Sequence, residues 1–156
     1  MDSSALITLA GAGALSLLPL ARRDARTVPE VYRETVEVGL SQGYPDARAI
    51  GDCFRRGWIQ AQSPKRPMEL PGLSRTDSLV LRLAEETAAA GLLVNDRTLL
   101  RKAEQRNLPA RVTLEFVWER LEARQISRRR FDQLLFNFRE RRRYSEEFLE
   151  AFLLGR

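Results

Sequence analysis

The sequence predicts a single α/β domain, with a parallel sheet sandwiched by helices and a helical tail at its C-terminal end. Three observations carry this expectation. Short apolar runs bounded by turn residues alternate with longer stretches of helical spacing, the pattern of strand–helix–strand crossovers. The 156 residues suffice for one full-sized core at ~100–200 residues per domain. From Phe131 onward the apolar positions follow helical spacing alone, so the chain ends without strands.

Val28-Pro29 opens a helix reaching about Leu40, with Val31, Thr35 and Val38 as its spaced positions. Proline suits the first turn because its missing N–H has no partner there. A second helix is expected over 46–55 and a short strand over 58–61. Pro64, Pro67, Pro71 and Gly72 mark a loop, after which Ser74-Arg75-Thr76-Asp77 opens a helix carrying Leu79 and Leu83. Residues 91–94, Gly-Leu-Leu-Val, are too short for a helix and end at Asn95-Asp96, which reads as a buried strand running into a turn. A helix follows over Leu99, Leu100 and Ala103, then a strand at 111–113 and a helix over 114–124. Phe131, Leu134, Leu135 and Phe138 form one amphipathic face, and Ser145 caps a last helix carrying Phe148, Leu149, Phe152 and Leu153.

Composition narrows the chemistry. Histidine is absent and Cys53 is the single cysteine, which excludes Ser-His-Asp triads, Cys-His pairs, imidazole-ligated zinc and a disulfide framework. Any chemistry falls to carboxylates, with hydroxyls and arginines in support. One cysteine also fits a reducing, cytoplasmic setting. The net charge of +5 is uneven: residues 120–143 hold nine arginines against three acids. Arg128, Arg129 and Arg130 are the densest part of that stripe, the footprint expected of a polyanion partner. A solvated helix face or an acidic protein partner explains the same charges. Residues 5–21 carry no charge, but this stretch is short for a span of ~20 residues, is broken by Gly11, Gly13 and Pro19, and follows an acidic start. No membrane association is expected from it.

Four acids stand out by position. Asp2 precedes the first helix, Glu34 lies early in the Pro29 helix, Asp77 is in the first turn after Ser74, and Asp96 ends the 91–94 strand. Each alone reads as a helix cap or a surface acid. Together they fall at the edge outside the carboxyl ends of parallel strands, where ligands of open sheets sit. Clustered carboxylates raise one another's pKa unless a cation neutralises them, and oxygen-only ligands select Mg²⁺ or Mn²⁺.

These residues resemble a known family. Asp-Ser-Ser-Ala-Leu-Ile at 2–7 is similar to the opening motif of PIN-domain ribonucleases. Val-Pro-Glu-Val-Tyr-Arg-Glu at 28–34 resembles the family's VP-x-x-V-x-x-E element, and Leu-Leu-Val-Asn-Asp-Arg at 92–97 its strand-plus-NDR element. Asp77, after Leu73, stands where the family places a helix-start acid, and the segment from Leu92 to the two terminal helices resembles the VapC-like toxin branch. The resemblance implies one PIN-like domain over 1–156, with 128–156 as a C-terminal helical extension. Only Met1 precedes Asp2, so the family's first strand is expected to be truncated. Two further departures are Thr76-Asp77 for Gly-Glu and Val112-Thr113 for Gly-Thr.

The resemblance implies a Mg²⁺- or Mn²⁺-dependent endoribonuclease of a toxin–antitoxin pair. Asp2, Glu34, Asp77 and Asp96 would be catalytic, with Asp2, Asp77 and Asp96 as metal ligands. Ser4, Arg97 and Thr113 would touch substrate, and Glu115 is a candidate fifth acid. RNA, a cognate antitoxin and a second copy of the chain are the implied partners. Two alternatives remain open from the residues: a PIN-like module binding RNA or protein without cleaving, and a helical partner-binding protein whose acids are all caps.

Overall fold

The computed structural model describes residues 1–21 and 24–155. Arg22 and Arg23, which close the uncharged N-terminal stretch, and Arg156, the last residue of the expected extension, lie outside them. The chain runs α1 (Ser3–Ala12), two 3₁₀ turns, β1 (Ala25–Thr27), α2 (Pro29–Tyr32), a π-helical stretch (Arg33–Val38), α3 (Gly39–Ser41) and α4 (Pro45–Arg55). Then come β2 (Ile59–Ala61), α5 (Arg75–Glu86), β3 (Leu92–Leu93), α6 (Arg97–Gln105), β4 (Ala110–Arg111), α7 (Thr113–Glu122), α8 (Arg128–Glu140) and α9 (Glu146–Leu154).

Helix α1 is the centre of the core. Ala5, Leu6 and Leu9 are fully buried, and the helix packs against α4, α7 and α8. An apolar stretch buried on all sides by protein needs little amphipathicity. Among the described residues no single helix is long and apolar enough to cross a membrane; α1 and the 3₁₀ turns after it reach that length only together, bent by 107°. Helices α3 and α4 pack closely because Gly39 lacks a side chain: a Cβ there would come within 2.8 Å of the Ala47 Cβ. The expected C-terminal extension is part of this core, since Phe131, Leu134 and Phe138 of α8 are fully buried.

The strands are parallel, as expected, but form two separate pairs, β1 with β2 and β3 with β4. Residues 25–27 carry no strand pattern in sequence, so β1 is a structural finding. Thr113, expected in a strand, is the first residue of α7, because the Glu115 carboxylate turns back to accept the Val112 N–H at 3.0 Å and starts the helix there.

Met1 and Asp2 lie between the two pairs. The Met1 ammonium donates to the Arg26 carbonyl at 2.9 Å, and the Asp2 N–H donates to the Leu93 carbonyl at 3.3 Å. Successive groups of an extended chain point to opposite sides, so these two residues behave as the last rungs of a middle strand. The Thr27 hydroxyl completes the join by donating to the Met1 carbonyl at 2.6 Å. Ahead of Met1 the same lane opens into a cleft of about 550 Å³ lined by Leu18, Leu83, Ala84, Leu92 and Phe116. Burial there lowers the pKa of the Met1 ammonium to about 6, with the Asp2 charge opposing.

The cleft has an apolar wall of Leu18, Leu83, Leu92 and Phe116 beside a polar one of Asp24, Arg111, Glu119 and Gln125. Fusing five residues rich in Val and Ile ahead of Met1 should place two or three side chains in it. At roughly 1.5 kcal/mol each, they should raise Tm by roughly 6–18 °C in a thermal melt. An alternating Asp/Lys segment of equal length should give no rise; equal responses would show that the cleft accepts no strand.

Candidate active site

The four acids arrive at one edge because three helices begin there, two of them directly after extended chain. Asp2 caps α1: one carboxylate oxygen accepts the Ala5 N–H at 2.9 Å and the other accepts the Ser4 hydroxyl. Asp96 caps α6 by accepting the Leu99 N–H at 2.8 Å. Asp77 lies in the first turn of α5, whose cap is Ser74; the Ser74 hydroxyl accepts the Asp77 N–H at 3.0 Å and donates to the Asp77 carboxylate at 2.7 Å. Glu34 sits in the π-helical stretch, a winding that often marks functional positions. Its two oxygens accept the Ser3 hydroxyl at 2.5 Å and the Thr76 hydroxyl at 2.6 Å, so it ties the start of α1 to the start of α5.

Charge shows that the acids share one field. Burial, above all, pushes the Asp2 carboxyl above its usual range; the Ser4 and Ala5 hydrogen bonds and the Met1 ammonium charge pull it back, and the Asp77 charge pushes it further up. Asp77 is raised first by burial and then by the charges of Asp96 and Glu34, against the Ser74 hydrogen bond. The N-terminal dipoles of α1, α5 and α6 favour negative charge at the same edge. Asp2 is 1% exposed, Asp77 is half-buried, and Glu34 and Asp96 are exposed, which makes a graded acidic surface open to solvent on one side.

The donor set suits a hard cation in kind: carboxylates only, with one another's charge to be relieved. In position the fit is incomplete. Among the described residues no three acid side chains lie close enough to hold one ion, because Asp2, Asp77 and Asp96 are each drawn back to a hydrogen-bond donor at the start of their own helix.

The remaining candidates separate. Ser4 supports Asp2, and Arg97 is exposed beside Asp96. Thr113 differs from the expectation: it is fully buried, and its hydroxyl is engaged by Asn95 and Tyr144, so it braces the edge from behind rather than meeting substrate. Glu115 serves as the α7 cap described above. Arg130 donates to the Gly13 carbonyl at 2.8 Å, at the end of α1 opposite Asp2. Ten residues of helix separate them by roughly 15 Å at 1.5 Å per residue. Arg128 pairs with Asp132 and covers the Phe131 ring, so the stripe of Arg128, Arg129 and Arg130 is a surface apart from the acids. Sequence reasoning missed Ser3 and Thr76 as holders of Glu34, and Tyr144 altogether; the hydroxyls beside Asp2 and Asp77 were the available signal.

The family model DUF3368, described as a PIN domain, matches residues 1–154. The chain belongs to the PIN-domain family. No curated protein and no solved structure matches it. PIN domains are usually nucleases and typically bind Mg²⁺ or Mn²⁺, and a helix-rich fold with short parallel strands agrees with the assignment.

The raised pKa of Asp77 has a pH signature. An acid whose folded pKa is raised favours the fold while uncharged, so its contribution is lost as pH climbs from its ordinary value of 3.8 through the raised one. Asp77→Asn removes that loss. In melts without divalent cations, the Tm advantage of Asp77→Asn over the parent should grow between about pH 4 and pH 7. An advantage that shrank with pH would show that burial and the neighbouring acids do not raise Asp77 in the folded state.

Proposed function

We propose that this PIN-domain protein is a Mg²⁺- or Mn²⁺-dependent endoribonuclease, the toxin of a toxin–antitoxin pair. The observation that carries the reading is electrostatic: four acids from four distant segments meet at a single strand-end edge, where the charges of Glu34 and Asp96 act on Asp77 and that of Asp77 acts on Asp2. Asp2, Asp77 and Asp96 would hold the ion once their carboxylates turn toward it, Asp2 by exchanging its Ser4 bond for the ion. A divalent cation supplies neutralisation of this cluster, activation of water and stabilisation of charge at the phosphodiester. Glu34, fixed by Ser3 and Thr76, keeps a fourth negative charge at the mouth. Arg97 would meet the phosphate from the start of α6, and Ser4 holds the buried Asp2 carboxylate in place. RNA, a cognate antitoxin and a second copy of the chain are the proposed partners, in the cytoplasm.

A second reading has its own support. The capped carboxylates, with no three of them convergent, also suit a PIN-like module that binds RNA or protein without cutting.

Incubation with structured RNA and Mn²⁺ separates the two. Cleavage should occur, stop with chelator, and fall at least about 100-fold in Asp96→Asn with an unchanged circular dichroism spectrum. RNA left intact but bound would establish the second reading, and full activity of Asp96→Asn would remove that residue from the site. Changing Arg128, Arg129 and Arg130 to Glu should weaken RNA binding and lower the slope of log K against log salt by about 0.7 per lost contact. An unchanged slope would assign the stripe to another partner.

A further inference from the structure

The loop between α8 and α9 reaches the acidic edge through one hydroxyl. Tyr144 Oη lies 2.5 Å from Thr113 Oγ1, accepts the Leu114 N–H at 3.1 Å and lies 3.2 Å from Asn95 Oδ1. Asn95 closes the figure: its Nδ2 donates to Thr113 Oγ1 at 3.0 Å, and its Oδ1 accepts the Thr113 N–H at 2.9 Å. Counting protons fixes the directions. Asn95 Oδ1 can only accept, so the Tyr144 hydroxyl donates to it. The Tyr144 oxygen is then the acceptor for the Thr113 hydroxyl, whose own oxygen accepts from Asn95 Nδ2. The result is a closed ring of three side chains in which each hydroxyl proton is used once, the arrangement in which buried polar groups rigidify a site.

The ring ties the ends of the paired strands β3 and β4 to the C-terminal segment. Asn95 is the residue before Asp96, Thr113 begins α7, and Tyr144 lies in the loop that joins the two C-terminal helices. The Tyr144 ring is itself held, stacked on Phe148 at 5.1 Å and edge-on to Phe138 at 5.6 Å. Since Asn95 is fixed at both ends of its amide, the backbone entering Asp96 has little freedom. Thr113 is 0% exposed, so no water competes for its hydroxyl.

We infer that Tyr144 is a positioning residue, through which the C-terminal helices set the orientation of Asp96 by way of Asn95 and Thr113. It touches neither substrate nor ion. The kinetic consequence rests on the nuclease reading above; the structural one does not.

Tyr144→Phe deletes the hydroxyl and keeps the ring stack. In RNA cleavage with Mn²⁺, kcat should fall about tenfold, the usual scale for residues supporting a site from behind, with KM within about twofold. Thr113→Val should cost the same, the double variant no more than either single one, because the ring is lost once, and Thr113→Ser should retain parental kcat. Additive losses, or a loss confined to KM, would overturn the inference. A second measurement does not depend on catalysis: in ¹⁵N NMR, Tyr144→Phe should shift the Asn95 side-chain and Asp96 backbone amides and speed their exchange, leaving α4 amides unmoved. Unchanged Asn95 and Asp96 signals would also overturn it, whereas those shifts in a parent protein that cuts no RNA would uphold the positioning and reject the nuclease.

Discussion

Two backbone hydrogen bonds, from the Met1 ammonium to Arg26 and from the Asp2 N–H to Leu93, hold this molecule's geometry together. Strands β1 with β2 and β3 with β4 are separate pairs; the two N-terminal residues are what set them side by side and level. That level matters, because Glu34 follows from the end of β1 and Asp96 from the end of β3. Asp2 is itself the bridging residue, so the acid that is most buried is also the one whose backbone aligns the rest.

The edge built this way holds charges that repel. Three helix N-termini and a set of hydroxyls, from Ser3, Ser4, Ser74 and Thr76, hold the carboxylates in place without neutralising them. The same bonds keep the carboxylates from converging on one point, so each would have to exchange a hydrogen bond to meet a shared cation. The basic stripe near Arg130 lies at the far end of α1, so cation-rich and acid-rich surfaces are carried on opposite ends of one buried helix.

Much of the fold was legible in the sequence where a single segment carries its own instruction. The face formed by Phe131, Leu134 and Phe138, the cap at Ser74 and the proline opening α2 all act within a few residues, and each is found where the sequence places it. Strand β1 was not legible: three residues centred on Arg26 have no alternation, and they are extended only because Met1 and β2 pair with them. Thr113 was misplaced because its helix starts through a contact from Glu115, a choice that strand propensity does not register.

The sequence by itself determined the chemistry available: no imidazole, one thiol, a concentration of arginine near the end, and four acids in an order resembling the PIN domain. Those are properties of residue identity and short-range spacing, which survive without coordinates. Only the tertiary structure decided which groups act on one another. It showed Glu34 shared between two helices, Thr113 hidden behind the edge, and Tyr144 joined to Asn95, a partner 49 positions away. Such contacts depend on how separate elements stack, a matter of packing between segments whose separation along the chain carries no local signal.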